Sequence, residues 1–264
     1  MSMPELGESS VSIIVPVLNE AAIIDSALAR LRRDFDDCEL LVVDGGSSDA
    51  TAQLATAHAR VVSTGPGRAG QMNEGARHAS GDVLWFVHAD TAIDPDALQQ
   101  LRAALTDADV VGGGLSLRFD RRTPSLDYLA RVSTLRARRL HHVFGDQAMF
   151  VRREVFEELG GFAPLPLMED FEFSRRLHRA GRMVVLPATS TASSRRFTRH
   201  GTVRMIAFMQ YLKLLFLAGV SPDRIRLRYE AGPGIALPRL TDTPTGRRQA
   251  RSFRSALKET SHGH

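Results

Sequence analysis

Residues 84–91 read LWFVHADT: four apolar residues, then His88, Ala89 and Asp90. Imidazole and carboxylate both ligate metals. On extended chain, an i, i+2 spacing sends two side chains to the same side. A buried strand ending this way is expected to meet either solvent or a cation. Three apolar runs upstream also end on polar residues. VSIIVPV (11–17) is followed by Asn19 and Glu20, and CELLVVD (38–44) ends on Asp44, Gly45 and Gly46. RVVST (60–64) leads into Gly65-Pro66-Gly67-Arg68.

Such residues act together only if the chain brings those strand ends to one place. Between the runs lie helical patterns. Ile23, Ile24, Ala27, Leu28 and Leu31 recur at helical spacing. GGSSDATAQLATAHA opens with turn residues and continues as a helix that Ser48 or Asp49 is placed to cap. RAGQMNEGARHAS forms a third helix, closed by Gly81. Strands separated by helices predict right-handed βαβ units and a mostly parallel sheet covered on both faces. Ligands of such sheets gather beyond the carboxyl ends of the strands, so all four polar sets are expected at one ligand-binding edge.

From residue 109 the alternation weakens. DVVGGGLSLRF is a strand interrupted by glycines, and TPSLDYLARVSTLRARRLHH is helical and basic. DQAMFVRREVFEELGGF gives a short strand, a helix and a glycine stop; LMEDFEFSRRLHRAGR is a helix running from acidic to basic, matched to its dipole. MVVLPA is a late strand, and 203–218 is a strongly apolar helix expected to pack on the core or join two protomers. Its length falls short of a membrane span. Residues 231–264, rich in Pro, Gly, Arg and Ser, are expected to form a flexible tail.

Composition narrows the function classes. The chain has 264 residues, 43% hydrophobic and 24% charged, as ordinary globular proteins do. Cys38 is the only cysteine, which excludes an internal disulfide and a zinc–thiolate centre. No secretory signal is evident in MSMPELGESS, so a cytoplasmic location is expected. The formal charge is +4, and lysine occurs only at Lys213 and Lys258. Arginine suits bidentate contact with phosphate, although genome composition produces the same skew. The charge permits phosphate-bearing partners; no nucleic acid is expected.

SIIVPVLNEA, LVVDGGSSDAT and GDVLWFVHADT, in that order and followed by GGF and MED, resemble family 2 glycosyltransferases with the nucleotide-sugar-binding GT-A fold. The resemblance covers roughly residues 10–190. HADT, GRAGQMN and GDQAMFV are similar to the branch labelled arsenosugar-biosynthesis-type glycosyltransferases. The resemblance implies an α/β GT-A domain over 10–198, an apolar helical extension over 199–230 and the tail beyond. It further implies that Pro16, Asn19 and Glu20 line the base and ribose, with Gly46 in the same turn. Asp44 would accept a hydrogen bond from the base, usually uracil, and Arg68 would lie on the base or diphosphate. Asp90 would bind a divalent metal, Mn²⁺ or Mg²⁺, and Asp170 of the Glu169-Asp170 pair would be the general base.

Those roles suit the chemistry. A metal stabilises the departing nucleoside diphosphate as a Lewis acid, and a positioned carboxylate activates a hydroxyl by ~10²–10⁴-fold. One base without a covalent intermediate implies inversion at the anomeric carbon. The family usually has aspartate where His88 stands, so His88 either joins the metal or hydrogen-bonds near the ribose while Asp90 holds the ion alone. Asp44 equally suits a turn before two glycines, and Glu169-Asp170 suit a helix's first turn. Asp146 and Gln147 face the donor sugar or acceptor, or belong to a loop. The arginines of 131–142 form either a solvated face or a site for phosphate, carboxylate or anionic lipid.

The sequence is therefore read as an inverting, metal-dependent glycosyltransferase moving a sugar from a nucleotide-diphospho-sugar, a UDP-sugar first, to a hydroxyl acceptor. Two alternatives stay open: a polyprenyl-phosphate glycosyltransferase at a membrane surface, and a non-catalytic nucleotide-sugar-binding protein. Peripheral membrane contact and a homodimer are compatible with either.

Overall fold

The run Val11–Val17 forms β1 and is buried along almost its whole length, as expected for a strand covered on both faces. In a computed structural model, which describes residues 9–234, β1 lies between β2 (Glu39–Asp44) and β4 (Val83–Phe86), parallel to both. The intervening segments carry α1 (Ile24–Asp34), α2 (Thr51–Ala55), β3 (Arg60–Ser63) and α3 (Arg68–His78). After β4 follow β5 (Ala92–Ile93), α4 (Ala97–Leu105), β6 (Val110–Phe119) and α5 (Pro124–Leu140). A 3-10 turn at Gly145–Gln147, then β7 (Phe150–Arg152), α6 (Arg153–Glu158), α7 (Glu169–Ala180) and β8 (Arg182–Ala192) complete the sheet region. Strand order is β3-β2-β1-β4-β7-β6-β8-β5.

The α/β, mostly parallel sheet flanked by helices is the architecture the alternating pattern implies. Its antiparallel members are β7, which pairs with β4 and β6, and the two-residue β5, which pairs with β8. Side chains alternate between two cores. Ile13, Val15 and Trp85 enter one with Leu28; Ile14, Leu84 and Phe86 enter the other with Met72 and Phe173. The second core carries an aromatic cluster in which Phe86 and Phe162 meet edge to face at 5.0 Å. The glycines of β6 have a packing cause: a Cβ at Gly113 would lie 1.9 Å from the carbonyl oxygen of Val184 on β8.

Three local expectations are corrected. Neither Ser48 nor Asp49 caps α2; the cap is Ala50, and Asp49 Oδ1 accepts from the backbone N–H of Thr51. The strand LWFV stops at Phe86, and residues 88–91 form a turn in which the Thr91 N–H donates to the His88 carbonyl. The extended geometry that would put His88 and Asp90 on one side is therefore absent. The late strand is also longer than MVVLPA, because β6 pairs with it as far as Ala192.

By internal contacts the chain divides into two units, Met1–Pro164 with Glu169–Ser194, and Leu165–Met168 with Arg195–His264. Within the second, α8 (Arg195–His200), α9 (Thr202–Leu217) and α10 (Pro222–Ala231) are helical. The apolar helix expected over 203–218 is α9; α10 falls almost wholly within the range given to the helical extension, without having been read as a separate helix. Arg228 on α10 donates to the Tyr211 hydroxyl on α9 at 2.5 Å. No described helix is long and apolar enough to cross a membrane. The tail expected over 231–264 lies outside the described residues from 235 onward.

Candidate active site

The strand ends on the β1–β2 side build a turn held by its own side chains. Asp44, 4% exposed, accepts through Oδ2 from the N–H groups of Gly46 (3.1 Å) and Ser47 (3.0 Å). Its Oδ1 accepts from the Ser47 hydroxyl at 2.5 Å. That hydroxyl oxygen also accepts from the Asn19 N–H, and Asn19 Oδ1 accepts in turn from the Ser48 N–H, both at 2.9 Å. Asn19 is left-handed, with φ at 55°, a conformation asparagine tolerates better than most residues. The Glu20 N–H donates to the Thr51 hydroxyl at 2.8 Å. Pro16 is half-buried one residue before the end of β1. Pro16, Asn19, Glu20, Asp44 and Gly46 thus gather at one edge of the sheet. The carboxylate of Asp44 closes the turn there, leaving one of its roughly four lone-pair sites for another donor.

A residue that sequence reasoning missed ties this edge together. Gln71, buried on α3, donates from Nε2 to the carbonyls of Val17 and Val43, both at 2.8 Å. It stands inside GRAGQMN, the segment that carried the branch resemblance, yet nothing in its spacing showed that it reaches two strands. Asn73, two residues on, exchanges two hydrogen bonds with the Phe162 backbone and so fixes the GGF turn.

The second group of residues forms a small cleft lined by Arg68, Phe86, His88, Gly145, Glu169 and Asp170 among others. Arg68, the first residue of α3, places its Nε 3.3 Å from Glu169 Oε1 and its Nη1 3.3 Å from His88 Nε2. Glu169 opens α7 and is only 2% exposed. Burial, followed by the neighbouring Asp170 charge, raises its pKa to about 7 against the pull of Arg68. His88 is driven the other way, to about 3, first by burial and then by the Arg68 cation. Its imidazole is therefore neutral at neutral pH, with Nε2 facing the guanidinium.

Asp170 is better supplied with partners. The Gly145 N–H donates to its Oδ2 at 2.8 Å, and the Phe171 N–H donates to its Oδ1 at 2.7 Å. Gly145 is a second residue the sequence reading passed over. A Cβ there would lie 2.5 Å from His88 Nε2 and 3.4 Å from Asp170 Oδ2, so only glycine lets these groups converge. Asp146 is half-buried and its carbonyl accepts from the Ser190 hydroxyl at 2.7 Å. Gln147 is fully buried, and its amide contacts the backbone of Leu115 and Phe144. The loop alternative thus describes Gln147 best.

The solvated-face reading of the arginine helix fails at one position. Arg136 is half-buried over the Phe144 ring, 4.2 Å from its centroid, and its Nε makes no hydrogen bond. Burial lowers its pKa, and the nearby charges of Asp146 and Asp170 oppose that shift. Asp90 is exposed on its turn. Among the described residues, no three His, Cys, Asp or Glu side chains converge as a ready-made metal cage.

Comparison with known proteins gives this geometry a family. A PGL/p-HBAD biosynthesis glycosyltransferase of Mycobacterium tuberculosis is 32% identical over 180 residues, covering 62% of this chain and 68% of that protein. A mannosyltransferase from Pyrobaculum calidifontis, solved with GDP-Man and Mn²⁺, superposes with a TM-score of 0.61 at 21% identity, covering 97% of this chain and 76% of its own. Glucosyl-3-phosphoglycerate synthase from Mycobacterium tuberculosis, solved with Mn²⁺, UDP and glucosyl-3-phosphoglycerate, gives a TM-score of 0.51 at 25% identity, covering 70% of this chain and 72% of its own. The pattern of Glycosyl transferase family 2 matches residues 12–160, more than half of the chain. The chain belongs to glycosyl transferase family 2.

Proposed function

We propose that the protein moves a sugar from a nucleoside-diphosphate sugar, in the first instance a UDP-sugar, to a hydroxyl acceptor with inversion at the anomeric carbon. The observation that carries this reading is the Asp170 carboxylate, aimed into the cleft by the Gly145 and Phe171 N–H groups beside Arg68 and His88. Asp170 takes the acceptor proton as the new glycosidic bond forms and the sugar–phosphate bond breaks. Glu169 holds Arg68 at the cleft. The Asp44 turn and Asn19 form the base and ribose end of the donor site. Solved relatives at the family level bind UDP or GDP-Man with Mn²⁺, and UDP with Mg²⁺.

The residues fit a divalent cation at the Asp90 turn. The Asp90 carboxylate has no hydrogen bond or ion pair among the described residues, and the neutral His88 imidazole lies two residues away. Asp90 would hold the ion; His88 would join it only when Arg68 turns from Nε2 towards a diphosphate. The bound ion supplies Lewis-acid stabilisation of the leaving diphosphate. Imidazole with carboxylate suits Mn²⁺ at least as well as Mg²⁺.

Arg136 favours acceptors that carry an anionic group near the reacting hydroxyl, since it sets a cation beside Asp146 and Asp170. The alternative acceptor, a polyprenyl phosphate, would instead react at a phosphate oxygen. HADT, GRAGQMN and GDQAMFV support placement in the arsenosugar-type branch; the mycobacterial relative bears a different assignment, so the branch rests on those motifs alone. We take 10–198 as the transferase domain and 199–230 as its helical extension, in a cytoplasmic protein.

The test is calorimetric titration of UDP and of GDP with Mn²⁺, with Mg²⁺ and with EDTA. Metal-dependent binding that disappears in Asp90→Ala is the expected result. Binding of neither nucleotide under any condition would overturn the donor site.

A further inference from the structure

Helix α5 presents two faces of opposite character. Thr123 caps it by accepting from the Leu126 N–H, and Pro124 occupies the first turn. Leu126, Ala130, Ser133 and Ala137 are buried at helical spacing. On the opposite side, Tyr128 is 67%, Val132 41% and Leu135 52% exposed. At about 100° per residue these three fall in one stripe, with Arg139 in line and Arg131 and Arg138 along one edge. All three arginines are exposed. The helix has a single acid, Asp127, already paired with Arg122. Arg136 flanks the opposite edge but is half-buried over Phe144, and belongs to the site already described.

We infer that this face of α5 docks on an anionic lipid bilayer. An aromatic and two aliphatic side chains suit the boundary between headgroups and acyl chains, and arginines at their edge suit lipid phosphates. Charge complementarity selects this occupant over a second copy of the chain. A two-fold interface would set the same arginines against one another, with one paired aspartate to offset them. The apolar area is small, so attachment is reversible and requires anionic lipid. The inference does not depend on the donor-site reading.

Co-sedimentation with vesicles of phosphatidylcholine, alone and mixed with phosphatidylglycerol, tests it on the full chain. Binding to the mixed vesicles only is expected. Arg131→Gln with Arg139→Gln should weaken it on the order of 30-fold, and Val132→Ser with Leu135→Ser should weaken it separately. A matched control, Arg33→Gln with Arg77→Gln, removes equal charge from other exposed sites and should leave binding close to wild type. Far-ultraviolet circular dichroism verifies that each variant is folded. No binding to mixed vesicles would overturn the inference, as would equal loss in the control pair or indifference to both α5 pairs. A dimer in sedimentation velocity that either α5 pair dissolves would instead identify a second copy as the occupant, and would also overturn it.

Discussion

The Asp44 turn and the Arg68 cleft sit at the ends of the same sheet but are held by different forces. Asp44 accepts three hydrogen bonds within its own turn, so that site is a short stretch of chain closed on itself by hydrogen bonds. The cleft joins α3, the β4 turn, the Gly145 turn and α7, and its charged members are held by mutual electrostatics, with Glu169 buried and Arg68 exposed. A site of the first kind is fixed by contacts local in sequence. One of the second kind responds to protonation, because each charge sets the state of the next.

The largest effect that would sharpen this contrast lies in the cleft. Asp170→Asn should lower transfer, read as nucleoside diphosphate release, by ~10²–10⁴-fold while leaving nucleotide affinity unchanged. Full activity in that variant would remove Asp170 from the chemistry. Next, Gly145→Ala should cost about 1–3 kcal/mol in denaturant unfolding, since its Cβ needs space occupied by His88. Asp44→Ala should cost a similar or slightly smaller amount, about 1–2 kcal/mol, because solvent replaces part of what the turn loses.

The smallest effect is a slope. Glu169 carries its proton in the folded state between its ordinary 4.5 and about 7, so its contribution to stability rises as pH falls through that window. His88 stays neutral in the folded state between its ordinary 6.5 and about 3, so its contribution falls as pH drops. In metal-free protein the two oppose each other between 4.5 and 6.5. Glu169→Gln should therefore make stability fall with acid there, and His88→Gln should make it rise, each by up to roughly 1 kcal/mol per pH unit relative to wild type. Parallel profiles for all three proteins would show that the cleft is not electrostatically coupled.

The contrast also decides what could be read from the sequence. The Asp44 turn was legible because its partners lie within a few residues or follow from strand alternation, and Gly-Gly after an acid signals a turn. The sheet up to Phe86 was legible for the same reason. The roles of Gly145 and Gln71 were not, since each depends on neighbours from distant parts of the chain that converge only after folding. Arg136 looked like its neighbours until its packing over Phe144 separated it from the exposed arginines. The expected His88–Asp90 alignment failed because the strand stops at Phe86, one residue before its apolar run ends, and the chain then turns. The fold brings Arg68, His88, Glu169 and Asp170 to one cleft, but which side chain would hold which could not be read from their types.

Strand order has a consequence for synthesis on the ribosome. The four strands β3, β2, β1 and β4 are complete once Phe86 has emerged, and each pairs within that stretch. β5 pairs only with Ser190 and Thr191 of β8, so Ala92 and Ile93 wait for nearly a hundred further residues. A growing chain can thus assemble the Asp44 edge while the cleft still lacks α7. Translation would deliver the self-closed turn first and the coupled charges last.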